Sequence, residues 1–197
     1  NKEICVVVQN PQQKQIISDF LDANKIFCEN IYLTTFAGIV YNTILNNKNF
    51  LPQNIKNINL VGLDASQYVL KQIIKEVGFK DYKSQINILH QLFRRYSLIV
   101  QNDLTQEEII TRSKIAGESY IEETQKALEL YRQKTNELGS FDYLRQLTIF
   151  KYLIQNNSCF EDIEYLCVFN CEEFSPIFYQ FLSNISANLK DSLIFFD

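Results

Sequence analysis

The residues best placed to do chemistry lie in Glu164–Pro176, where a short apolar run is followed by Asn170, Cys171, Glu172 and Glu173. Tyr165–Phe169 is rich in β-formers and carries no charge, as a strand covered on both faces would be. Ser175 and Pro176 then read as an N-cap and a first helical residue, because proline has no N–H to leave unsatisfied there. In an open α/β sheet, ligands gather beyond the carboxyl ends of the strands, which is where these polar residues fall. Two adjacent carboxylates could share a proton or a metal. Acids just before a helix N-terminus are equally accounted for by the favourable helix dipole.

A second set is basic. Arg94 and Arg95, with Lys71 and Lys75 on the preceding helical stretch, could meet a nucleic-acid backbone, with Tyr96 beside them to stack on a base. The competing reading is a solvated helix face. Cys5, Cys28, Cys159, Cys167 and Cys171 form no C-x-x-C pair, and His90 is the single histidine, so zinc and a disulfide framework are not expected. Cys5 and Cys167 fall in predicted strands, as small core hydrophobes, and a reducing, cytoplasmic compartment is the expectation. His90 reads as an ordinary helix-surface residue.

The elements that must position these residues follow from periodicity. Ile4–Val8 and Ile31–Thr35 read as strands, each followed by a helix, the first opening at Pro11 with Ile16, Ile17, Phe20 and Leu21 on one face. This βαβ rhythm implies parallel strands with right-handed crossovers. It then stops: Asn57–Leu63 has room for one short strand, and from Asp64 to Leu138 the pattern is helical. Asp64 with Gln67 and Thr105 with Glu108 have capping-box spacing, and Gly78 and Gly139 close helices. Phe141–Ile154 is a further apolar helix leading to the Tyr165 strand, and Ser192–Phe196 is the last strand. The expected fold is α/β, a parallel sheet from residues 1–50 and 140–197, with a mainly helical insertion over 51–139.

The 197 residues are 46% hydrophobic and 21% charged with net charge −4, an ordinary globular composition with enough length for a substantial core. No apolar run is long enough to cross a bilayer, and no membrane partner is expected. The acidic balance excludes a whole-surface nucleic-acid footprint but not a local basic groove. The chain lacks methionine, which fits a segment of a longer protein.

Five segments in order resemble the first motor domain of UvrD/Rep-type superfamily-one DNA helicases, over nearly the whole chain. Val6–Asn10 resembles motif Ia, and Thr35-Phe36 the family's Thr-Phe-His. Gly139–Leu144 resembles the Asp-Phe segment that follows the helical insertion. Val168-Phe169-Asn170-Cys171-Glu172-Glu173-Phe174-Ser175-Pro176 stands where the family has Val-Asp-Glu-Phe-Gln-Asp-Thr-Ser-Pro, and Leu193–Asp197 stops where motif III begins. The family resemblance carried by these motifs makes the expected parallel sheet P-loop-type. The resemblance implies single-strand contacts at Asn10, Thr35 and Phe36, to which the basic pair Arg94 and Arg95 would add phosphate contacts, and a degenerate Walker B box at Phe169, Asn170, Glu172 and Glu173, with Asp197 at motif III. Phe169 replaces the acid that orders Mg²⁺ and Asn170 the acid that activates water. Ala37 replaces the histidine after Thr-Phe, and Gln9 lacks motif Ia's aromatic. No G-x-x-x-x-G-K-[ST] occurs. The resemblance thus implies ATP and Mg²⁺ for the parent protein but no cofactor in this segment. Its partners would be the rest of the parent chain and, weakly, single-stranded DNA. A non-catalytic scaffold with the same fold, and an unrelated doubly wound domain, are the alternatives.

Overall fold

The computed structural model describes residues 3–26, 29–51, 55, 58–79, 85–118, 120–156 and 159–196. Four strands form one parallel sheet: β1 (Glu3–Val8), β2 (Ile31–Thr35), β5 (Ile163–Val168) and β6 (Asp191–Ile194), in the order β2-β1-β5-β6. The register aligns Val6 with both Leu33 and Cys167, and Cys167 with Leu193. The expected strands are therefore present, with β5 starting two residues early and ending at Val168, and β6 ending at Ile194. Helix α1 (Pro11–Ala23) joins β1 to β2, α2 (Phe36–Asn46) follows β2 directly, α7 (Tyr143–Asn156) leads toward β5, and α8 (Pro176–Ile185) joins β5 to β6.

The chain divides into two compact units, 1–50 with 150–197, and 51–149, the second division falling within α7. In the first, Cys5, Val7, Leu166 and Val168 are buried, and so are Phe36, Phe150, Phe178 and Phe181 of a ring cluster that the half-buried Phe174 joins. Phe36 is its hub, with ring centroids 5.6 Å from Phe150, 6.3 Å from Phe174 and 5.0 Å from Phe178. Because β1 steps to β2 in one direction and β5 to β6 in the other, right-handed crossovers put α1 and α8 on opposite faces. The α1 side is thinly covered. The helix buries none of its residues, and Ile16 and Phe20 are exposed while Ile17 and Leu21 are half-buried, so the expected single apolar stripe is split.

The second unit is mainly helical: α3 (Leu63–Val77), α4 (Gln85–Gln101), α5 (Gln106–Ile115) and α6 (Ile121–Leu138). Gly78 and Gly139 end α3 and α6 at φ 74° and 61°, the left-handed conformation that glycine adopts without a Cβ penalty. Thr105 and Glu108 form both halves of the capping box. Asp64 does not cap: α3 starts one residue earlier, with Gly62 at the N-cap and no side-chain bond. Ser140–Phe141 is not helix but a two-residue strand, β4, paired in parallel with β3 (Asn59–Leu60).

Candidate functional site

The carboxyl edge of the main sheet gathers the residues that follow β1, β2, β5 and β6, and most of the polar ones are already used. Asn10 caps α1, its Oδ1 accepting from Gln13 N–H at 2.9 Å, and Gln9 N–H donates to Gln13 Oε1 at 3.0 Å. Thr35 caps α2, its hydroxyl accepting from Gly38 N–H at 3.1 Å. A Cβ on Gly38 would meet Thr34 Oγ1 at 2.5 Å, so glycine lets the first turn of α2 lie close to the end of β2. Asn10 and Thr35 thus hold helix starts, a structural duty that accounts for their residue types.

At the end of β5, Phe169 lies flat on Phe195, with centroids 4.9 Å apart and planes 11° apart. Phe169 N–H donates to Val7 carbonyl at 3.0 Å, Phe195 N–H to Val168 carbonyl at 2.9 Å, and Cys171 N–H back to Phe195 carbonyl at 3.2 Å. Asn170 takes a left-handed backbone, φ 53° and ψ 53°, where asparagine is favoured among non-glycine residues. Glu172 and Glu173 are exposed in the 3-10 turn Cys171–Glu173. Cys171 is buried, and its carbonyl accepts from the Tyr179 hydroxyl at 2.9 Å. Ser175 sits at the N-cap of α8 and Pro176 at its first turn, but the Ser175 hydroxyl makes no cap bond. Asp197 lies outside the described residues, as does Cys28.

These residues do not fit Mg-ATP. A phenyl ring has no oxygen for the metal's hydration shell, and an amide is a far poorer base than a carboxylate. Phe169 spends its ring on Phe195 instead. Among the described residues, no group of three or more His, Cys, Asp or Glu could hold a metal ion.

Two proposed base contacts are corrected by their burial. Phe36 is 5% exposed at the hub of the ring cluster, with no face left for a base. Tyr96 is 4% exposed, its ring edge-on to Tyr131 at 5.7 Å. Arg95 is also committed: its guanidinium donates to the Ser113 hydroxyl and pairs with Glu118 at 2.9 Å. Arg94, Lys71, Lys75 and His90 are exposed.

The polar feature that periodicity missed is buried in the second unit. Asp142 caps α7, with Oδ1 accepting from Arg145 N–H at 2.8 Å, while Oδ2 accepts from the Tyr131 hydroxyl. Arg145 donates through Nε to Thr135 Oγ1 at 3.2 Å and through a terminal nitrogen to Asn136 Oδ1 at 2.6 Å, and sits over the Phe141 ring. Asp142, Arg145, Tyr131 and Thr135 are each under 5% exposed. Burial, then the Asp142 carboxylate, push the Tyr131 phenol well above its ordinary range. Burial also raises Tyr96, against the opposing pull of the Arg145 guanidinium. The available signal was the spacing of Tyr131 with Thr135 and of Asp142 with Arg145, which puts polar groups on faces that otherwise pack. The network ties α6 to α7, and its geometry is that of a structural brace.

Compared with known proteins, the chain matches no family model and no curated protein. Among the described residues, no helix is long and apolar enough to cross a membrane.

Proposed function

We propose that the chain is a segment of a UvrD/Rep-like helicase or helicase-related protein, a nucleic-acid-associated motor core of RecA-like type whose nucleotide chemistry is lost in this segment. The observation that carries the reading is positional. The segments resembling motifs Ia, Thr-Phe-His and Walker B all end at one edge of an all-parallel sheet, with a helical unit inserted between β2 and β5. Phe169 and Asn170 then stand where the acids for Mg²⁺ and water would be, so the segment holds the frame of the site without its reacting groups.

A second reading, a non-catalytic scaffold for protein contacts, is favoured by one set of facts: Phe36 and Tyr96 are core, and Arg95 is paired. The two readings separate by experiment. Calorimetry with Mg-ATP and a phosphate-release assay are expected to give neither tight binding nor turnover above a protein-free control, and turnover would overturn the assignment of a lost site. Fluorescence anisotropy with a labelled single-stranded oligonucleotide is expected to show weak binding at low salt. No binding there selects the scaffold.

A further inference from the structure

The edge of the main sheet opposite the candidate site carries a cavity of its own. A helix that joins parallel strands runs back along the sheet, so α8 ends beside the start of β6, and α7 ends beside the start of β5. Asn156 from the end of α7, Asn184 and Ile185 from the end of α8, and Phe160 and Asn188 from the segments that follow line one cavity of about 390 Å³. All lie in the first compact unit. Phe160 holds the two helix ends together, its ring edge-on to Phe181 of α8 at 5.0 Å and to Phe150 of α7 at 6.3 Å.

The groups around this cavity share one sign. The last carbonyls of a helix have no intrahelical partner and carry the negative end of its dipole, and two such ends border the same space. The carboxamides are turned the same way. Asn156 Nδ2 donates to the Tyr152 carbonyl at 2.8 Å and Asn184 Nδ2 to the Gln180 carbonyl at 2.9 Å, so each keeps Oδ1 as an acceptor. A carbonyl only accepts, which fixes the end of each amide that faces it. Phe160 is half-buried, and aromatic rings attract cations over their faces. Neither a Lys or Arg nor a carboxylate is among the lining residues.

We propose that this cavity binds a small organic cation, an ammonium or guanidinium group on a short apolar stem. Such a head carries donors and no acceptor, which is what carbonyl and carboxamide oxygens require, and both helix ends favour its charge. The stem has the Phe160 ring and Ile185 to pack against. An anion would meet acceptors and the negative ends of two dipoles. A hard divalent metal would find no carboxylate to balance its charge. The volume falls at the small end of ligand pockets, which run from about 300 to 1,000 Å³, and suits one small molecule or one side chain. A head of this kind arrives either on a free amine or on a lysine side chain of a polypeptide, and the test separates the two.

The test is an NMR titration of the 197-residue chain with n-butylammonium, against n-butanol and butyrate as neutral and anionic probes of similar length. The expected result is movement of the Asn156 and Asn184 side-chain amide signals, with the ammonium bound about tenfold more tightly than the alcohol, the order that two helix ends supply, and no movement with butyrate. Asn188 is exposed, so its replacement leaves the core intact. Asn188→Asp should tighten the ammonium about fivefold and Asn188→Lys should weaken it by as much. Tighter binding of Nα-acetyl-lysine methylamide than of butylammonium would assign the site to a polypeptide side chain, and weaker binding to a free amine. Equal affinity for ammonium and alcohol overturns the proposal, as does indifference to both Asn188 variants, or the absence of any movement at the highest soluble concentration. None of these outcomes bears on nucleotide or nucleic-acid binding, so the broader functional reading is tested separately.

Discussion

At the scale of single residues, side chains that look reactive in sequence are mostly engaged in holding backbone. Phe36 is the clearest case. Truncating a buried phenylalanine removes its transfer free energy and leaves a cavity, so Phe36→Ala is expected to cost about 3–5 kcal/mol in urea unfolding. If nucleic-acid affinity fell with stability unchanged, Phe36 would be a contact and not a core residue. Tyr131 gives a pH-dependent prediction. Its phenol is raised in the folded state, so the unfolded chain ionises near pH 10 while the folded one stays protonated. The folded state then binds more protons, and stability is intact below about pH 10 and falls above it. The slope is up to about 1.4 kcal/mol per pH unit for each such tyrosine. Urea midpoints between pH 8 and 11 should show a shallower alkaline loss in Tyr131→Phe than in the unaltered chain.

At the scale of elements, the start of α2 shows how close helix and strand must come. Gly38→Ala places a methyl group 2.5 Å from the hydroxyl of Thr34, a buried, β-branched residue that is stiff at χ1. The expected cost is about 1–3 kcal/mol from overpacking. Adding Thr34→Ala should recover part of it, because the obstructing atom is then gone. Thermal melts of the single and double variants check this; a single variant as stable as the parent would mean that α2 shifts freely. The same element accounts for Thr35, whose replacement by alanine removes a cap worth about 1 kcal/mol, while Thr35→Ser keeps it.

At the scale of the whole molecule, net charge −4 leaves little general attraction for phosphate, so any nucleic-acid affinity must come from a local patch. Arg94, Lys71 and Lys75 are the exposed cations singled out by the sequence. If all three contact phosphates, a single strand would release about two counterions. Raising salt from about 50 to 200 mM should then weaken binding roughly 20-fold. Arg94→Ala should lower the slope of log K against log salt by about 0.7. Anisotropy at several salt concentrations measures both, and tight, salt-insensitive binding would place the contact elsewhere.

The order of strands and helices was legible in the sequence because each element declares itself locally: β-branched runs at Ile4–Val8 and Ile31–Thr35, a helical period from Asp64 onward, and glycines where helices end. The loss of acids at Phe169 and Asn170 was legible for the same reason, since residue type alone decides whether an oxygen is present. Tertiary structure decided what depends on neighbours distant in sequence. Periodicity could not assign Phe36 and Tyr96 to the core, because an aromatic at a strand end or on a helix looks the same whether rings or water surround it. Nor could it find the brace of Tyr131, Asp142 and Arg145, which exists only once α6 and α7 are packed together. The edge position of β6 is likewise a fact of topology: Ser192–Phe196 reads simply as the last strand, and only the sheet order β2-β1-β5-β6 places it outermost.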